Sequence, residues 1–332
     1  MAIERMITPA RERGAALLTV LLLVAVIAVL AATALEKLRL STRLASNMIA
    51  IEQARGYAMA AETLATTRID SLLSRNPAQV TLAGGWSGRP FQLPVPGGVA
   101  SATVVDGGNC FNLNGLAVNG GPGVLVARPA AIVQFTRLMT LLGIPGQTAS
   151  TIAASTADWI DTDSNPLPNG AEDERYGNRR VSYRTGNTLI SDISELRAIA
   201  EVTPQIYAKL RPWVCAQPRA EPSQINVNTL LPEQAALFAM LLPDTLTIDQ
   251  ARALLLERPA QGYTSTDAFW KLPALRGIIV FPEGQAQTAV TTKWFALRIE
   301  VELGGSELTE SALIDASVQP ARLVSRAWGD PA

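Results

Sequence analysis

From Ala15 to Leu35 the chain reads AALLTVLLLVAVIAVLAATAL, 21 residues without a charge. At about 1.5 Å per residue a helix of this length spans roughly 30 Å, the hydrocarbon thickness of a bilayer. A cleaved secretory signal has a shorter apolar core, of about 7–15 residues, that ends in a small-residue site. Here the pair Ala31-Ala32 leads straight into more helix-forming sequence, so the segment reads as a retained anchor. Arg5, Arg11 and Arg13 precede it, and the positive-inside rule places this short leader in the cytoplasm and the bulk of the chain in the periplasm. No proline falls between Ala15 and Asn76, while Ala54, Tyr57, Ala58, Ala61, Leu64 and Ala65 recur at three- and four-residue spacing. The pattern predicts one helix of about 60 residues, roughly 90 Å long, that offers an apolar stripe to a globular domain until Pro77 ends it.

The 332 residues leave room beyond the anchor for a core of roughly 200–250 residues. Lys and Arg total 28 against 29 Asp and Glu, so no net charge draws the chain to nucleic acid or to an acidic surface. Histidine is absent, which removes Ser-His-Asp and Cys-His catalysis, histidine acid–base chemistry and most zinc sites; a non-enzyme is expected. The two cysteines, Cys110 and Cys215, lie well beyond the anchor, in what would be an oxidising compartment, and a disulfide is expected. Two separate buried thiols are the alternative.

Residues 77–132 are rich in Gly and Pro, with short apolar pieces at Ala102 to Val105 and Val124 to Val126 that read as strands. Far downstream Phe295, Leu297, Ile299, Val301 and Leu303 alternate with Ala296, Arg298, Glu300 and Glu302. Gly304-Gly305-Ser306 then turns the chain toward a second strand near Ala312 to Val318. Between these β regions, over 133–280, the pattern becomes helical: Ile132, Phe135, Leu138, Met139 and Leu142 share a face, with similar runs at 192–210, 232–242 and 248–257. An all-helical lobe inserted into a sheet domain formed by 77–132 and 281–332 is expected.

The sharpest local signal is DWIDTDSNPLPNGAEDE, six acids from Asp158 to Glu174 with no base until Arg175. Crowded carboxylates are costly unless a cation collects them. Asp161, Asp163, Asn165 and Glu172 fall at positions one, three, five and twelve of a calcium-loop template, and Leu167 at position seven can offer its carbonyl. Asp173 adjoins the set. Pro166 stands where an EF-hand needs glycine, so that motif is excluded, although hard oxygen donors at this spacing still suit calcium. A solvated acidic loop, with Asp161 and Asp163 capping a helix and holding turns, is the plain alternative.

Arg11-Glu12-Arg13-Gly14 before Ala15-Ala16-Leu17-Leu18 resembles a prepilin leader. The resemblance implies that a prepilin peptidase cuts between Gly14 and Ala15 and methylates the new N-terminus, leaving 36–76 as the periplasmic part of the helix. The fifth mature residue would be Thr19, where most pilins and pseudopilins carry a glutamate that neutralises the neighbouring subunit's terminal ammonium. The K-type minor pseudopilins of type II secretion systems characteristically lack that glutamate. DWIDTDSNPLPNGAEDERY is similar to their acidic loop, which binds calcium in that family. Cys110-Phe111-Asn112-Leu113-Asn114, Ser194-Glu195-Leu196-Arg197 and Ile225-Asn226-Val227-Asn228-Thr229 resemble the same family in the right order. The family implies an α+β architecture: a long N-terminal transmembrane helix, a pseudopilin-type antiparallel sheet and a large helical insertion. It also implies an inner-membrane, single-pass protein at the tip of a periplasmic pseudopilus, with the I, J and H types as partners.

A different reading comes from INVNTLLPEQAALFAML and ALLLERPAQGYTSTDAFWKLPAL, which resemble the helix-hairpin-helix of membrane-anchored, competence-type DNA receptors. Its hairpin, Leu241-Leu242-Pro243-Asp244-Thr245, puts an acid where a phosphate would approach backbone amides, and residues 229–279 hold five acids against four bases. No nucleic-acid partner is expected. Gly143-Ile144-Pro145-Gly146 forms a second candidate hairpin. Both read as modules for packing and protein contact.

Overall fold

The computed structural model describes residues 11–178, 181–242 and 245–329. Most of the expected leader, and Pro243 and Asp244 of the candidate hairpin, lie outside the described residues. The first element, α1, runs unbroken from Arg11 to Arg75. Asn76 closes the turn after it by accepting the Ala78 N–H at 3.3 Å, just before Pro77 takes the chain away. Thr19 satisfies its own hydroxyl inside α1, donating to the Ala16 carbonyl at 2.9 Å. Residues 15–35 are exposed throughout, with a mean hydropathy of 3.0 in the most apolar window. A surface of that kind needs lipid around it.

After α1 come β1 (Phe91–Val95) and β2 (Gly98–Asp106), then β3 (Phe111–Asn112) and the hairpin β4 (Ala117–Gly121) and β5 (Val124–Ala127). Helices α2 (Pro129–Leu141), α3 (Gly146–Ile160), α4 (Asp173–Gly177) and α5 (Pro204–Leu210) follow. Short pieces come next: β6 (Val214–Cys215), β7 (Ile225–Asn226), α6 (Ala235–Ala239), α7 (Ile248–Leu256), α8 (Thr266–Trp270), α9 (Pro282–Ala286) and β8 (Thr288–Ala289). The chain finishes with β9 (Trp294–Leu303), β10 (Ser306–Asp315) and β11 (Arg322–Trp328). Pro129 opens α2, where a missing N–H costs nothing, and Gly143 closes it at a φ of +76° that L side chains resist.

One antiparallel sheet of five strands, in the order β1-β2-β9-β10-β11, packs against α1. The expected alternation at 295–303 is β9, with Phe295, Leu297, Ile299, Val301 and Leu303 turned inward. A two-residue turn at Gly304-Gly305, both at positive φ, leads into β10, which begins at Ser306 and ends at Asp315, ahead of the stretch read from the pattern. Ala54, Ala58, Ala61 and Ala65 line the buried face of α1, and their small side chains let the helix settle against Ala100, Ala102, Leu297, Ile299 and Ile314.

Composition places the exchange between sheet and lobe at 132 and 281; in the structure the chain leaves the sheet after Asp106 and returns at Trp294. The reason is packing. Phe111, Leu113 and Leu116 are buried in the helical core with Phe135, Leu138 and Ile152, and β3 pairs with β6 instead of the main sheet. The β4–β5 hairpin stands apart from that sheet, and β8 pairs with β7 inside the lobe. Cys110 and Cys215 form a disulfide at the base of the lobe, with Cα atoms 5.8 Å apart. Around it four buried asparagines close the loops. Asn112 donates to the Arg219 and Glu221 carbonyls, Asn114 to those of Ile190 and Gln217, Asn226 to that of Val80 and Asn228 to that of Tyr263.

Candidate metal centre

Helix α3 is buried along almost all of its second half, from Ile152 to Ile160, so its end is a fixed platform. Asp158, on the last turn, is fully buried and folds the following loop back on the helix. Its carboxylate accepts the Leu167 N–H at 3.1 Å and the Ala171 N–H at 2.7 Å. Gly170 passes so close to that carboxylate that a Cβ would run into it. Asn169 takes the left-handed conformation that closes the bend, with φ 68°. Thr162 ties the loop to β5 by donating its N–H to the Leu125 carbonyl at 3.1 Å.

This folding brings Asp161, Asp163 and Glu172 together, each with a carboxylate oxygen within 4.8 Å of the others. Asp161 is the C-cap of α3, 2% exposed, and Glu172 is the N-cap of α4, 5% exposed. Asp163 lies at the solvent edge, where one oxygen accepts the Asn165 N–H at 2.8 Å. Glu172 Oε2 accepts the Thr185 hydroxyl at 3.3 Å. The remaining oxygens are the informative ones: Asp161 Oδ1 and Glu172 Oε1 are both buried and have no hydrogen-bond partner. A buried carboxylate oxygen without a donor is expensive, and two beside each other are more so.

The electrostatics carry the same message. Burial first, then the charges of Asp163, Asp158 and Glu172, push the Asp161 carboxyl up to about 7. Glu172 is also pushed up to about 7, by burial and then by Asp158. Among the described residues, no arginine or lysine charge acts on either carboxyl. Three carboxylate oxygens this close together are a set of hard donors within reach of one divalent cation.

The other expected ligands are placed differently. The Asn165 N–H is spent on Asp163, while the Leu167 carbonyl accepts the Gly170 N–H at 2.7 Å and keeps one lone pair. Asp173 turns away. Its Oδ1 accepts the N–H and hydroxyl of Thr185, each at 2.9 Å, and those bonds hold its carboxyl below the usual range. In the sequence Asp158 is only one acid among six, and nothing in the spacing shows that it shapes the loop. Behind the cluster Trp159, Tyr176 and Tyr183 pack together, with Trp159 edge-on to Tyr176 at 5.5 Å and Tyr176 stacked on Tyr183 at 5.3 Å. This rigid aromatic wall fixes both sides of the acidic loop.

Comparison with known proteins matches two family models, each described as type II secretion system protein K, over residues 109–219 and 225–293. The type II secretion system protein K of Klebsiella pneumoniae is 37% identical over 327 residues, covering 96% of this chain and 97% of that one. Its counterpart in Pectobacterium carotovorum subsp. carotovorum is 34% identical over the same shares. Among solved structures, a chain of the GspK–GspI–GspJ complex from the type 2 secretion system of enterotoxigenic Escherichia coli superposes with a TM-score of 0.73 at 32% identity. The match covers 84% of this chain and 96% of that one.

Proposed function

The chain belongs to the type II secretion system protein K family, the K-type minor pseudopilins, and from that premise we propose that it caps the tip of a periplasmic pseudopilus. The observation that carries this reading is the similarity along nearly the whole length, to proteins named as secretion-system components and to a chain crystallised with GspI and GspJ. The architecture supports it. The lobe borne on β2 and β9 makes the subunit broad, which suits the end of a narrow filament better than its shaft. Helix α1 continues past the anchor with Leu38, Leu40, Leu44, Met48 and Ile49 exposed, an apolar surface fit for the helices of partner minor pseudopilins of the I, J and H types. The work of such a subunit is binding, not catalysis. The competence-type DNA receptor is not favoured, since the same segment, 225–293, matches the protein K family.

In this reading the anchor at 15–35 sits in the inner membrane, the bulk of the chain is periplasmic, and prepilin peptidase cuts after Gly14 and methylates Ala15. Calcium is the resident ion, with Asp161, Asp163 and Glu172 as its carboxylate ligands and the Asn165 side chain and Leu167 carbonyl available nearby. The two buried, unpartnered oxygens are what fit it. When bound, the ion supplies positive charge that lets the loop stay closed with its carboxylates ionised.

The test is the intact mass of the N-terminal peptide from membranes of cells with and without prepilin peptidase, alongside photo-crosslinking from Leu44 and Met48. The expected result is a methylated chain beginning at Ala15 and crosslinks to other minor pseudopilins. A chain that keeps Met1 in both strains and crosslinks to none of them would overturn the proposal.

A further inference from the structure

Where β10 passes beneath α1, its inward row reads Leu308, Glu310, Ala312, Ile314, so a carboxyl stands in a row of hydrocarbon. Glu310 is fully buried, and its neighbours across the sheet are Ile299 of β9 and Trp328 of β11. Its Oε1 accepts Arg326 Nε at 3.2 Å, and its Oε2 is buried with no partner. From the helix side comes Glu62, set among Ala58, Ala61 and Ala65, with its side chain 13% exposed. Glu62 Oε2 accepts Nη2 of the same Arg326 at 2.6 Å and its Nε at 3.0 Å. One guanidinium on the last strand therefore serves two carboxyls, one on the neighbouring strand and one on the helix.

With both acids ionised this trio carries a net negative charge in apolar surroundings, whereas one retained proton makes it neutral. The other charged groups nearby are committed elsewhere. On α1, Arg55 pairs with Glu52 at 2.6 Å and lies over the Trp328 ring, Arg68 lies over Phe91, and Asp70 accepts the Ala321 N–H. On β9 the pair Arg298–Glu300 lies on the opposite face of the sheet from Ile299, and on β10 Asp315 pairs with Arg219 and Arg322.

We propose that Glu310 retains a proton beside the Glu62–Arg326 pair and so forms an acid-closed clasp that holds β10 and β11 against α1 and loosens when that proton leaves. Burial, then the neighbouring Glu62 carboxylate, push Glu310 up to about 7 while Arg326 pulls it down, which puts the change near neutral pH. The element that loosens is β11, since it is an edge strand whose backbone pairs with β10 alone.

The experiment is hydrogen exchange with mass-spectrometric readout on the full-length chain in detergent, followed from about pH 5.5 to about pH 8 and corrected for intrinsic rates. Protection of residues 322–328 is expected to fall roughly tenfold across that range in the wild type. Glu310→Gln, which mimics the protonated acid, is expected to stay at the acid-side level throughout, and Glu62→Gln to lose the pH dependence as well. A wild type with flat protection, or a Glu310→Gln variant that loosens as the wild type does, would overturn the clasp. Infrared spectroscopy of the wild type gives an answer even if a variant misfolds. A protonated-carboxyl band present at about pH 6, gone by about pH 8 and kept when Asp161→Asn and Glu172→Gln are combined supports the retained proton, and its absence at about pH 6 or its loss in that double variant refutes it.

Discussion

Asp161→Asn tests the proposed calcium site, because it removes a charge that the proposed ion would collect while keeping the side chain's shape. In calcium-free protein Asp161 is held at about 7 against an ordinary 3.8. A folded-state value above the unfolded one means that the folded form binds the proton more tightly. Stability is therefore complete below about pH 4 and is lost as the pH climbs toward about 7. At about 1.4 kcal/mol per pH unit, the span from 3.8 to about 7 sets a ceiling of roughly 4 kcal/mol. Glu172, raised from 4.5 to about 7, draws on the same crowding, so its share does not simply add. The proposed calcium would act with the opposite sign: at about 100 times its Kd it would return roughly 2.7 kcal/mol, or about 5–10 °C in Tm for a domain of this size. The assay is thermal unfolding of the full-length protein at about pH 7.5, with chelator and then with saturating calcium. Without calcium the variant is expected to melt several degrees above the wild type; with calcium the wild type rises and the variant stays put. A variant that keeps the calcium response, or a chelated wild type whose stability is level from about pH 5 to about pH 7.5, would refute the reasoning.

Replacing both Cys110 and Cys215 by serine opens a covalent loop of 105 residues, for which chain entropy alone sets about 4–5 kcal/mol; denaturant unfolding of variant and wild type measures it. Gly170→Ala is expected to cost about 1–3 kcal/mol, because the new methyl must displace the Asp158 carboxylate that shapes the loop. That variant should also weaken calcium binding, which calorimetry reports even though no proposed ligand is touched.

What could be read from the residues follows a physical divide. The long helix and the β9–β10 hairpin are visible because each repeats one period over many residues, and no proline or charge interrupts the anchor. The last strand is not visible: with Arg322, Ser325 and Arg326 among exposed positions at a sheet edge, its composition is that of a loop. Two-residue strands such as β3 and β6 have no local signature, since distant packing defines them. The acidic loop announces itself by crowding, yet crowding alone cannot say which acid faces the backbone, which faces Thr185 and which two are left with bare oxygens. Glu310 is likewise only an interruption of an alternating row until α1 is laid over it.

The way the helical lobe is mounted has a mechanical consequence. Everything between 107 and 293 hangs from two neighbouring antiparallel strands, whose ends meet where Asp106 pairs with Phe295. A push or pull on the lobe is therefore spread across the seam of nine registered pairs of β2 and β9, next to α1, with a second tie where Val80 bonds Val290 and Asn226. The disulfide sits just beyond that seam, and Arg219 reaches from the lobe to Asp315 at 2.8 Å as a brace beside it. In a subunit mounted on a moving shaft, such a neck makes lobe and helix travel as one lever.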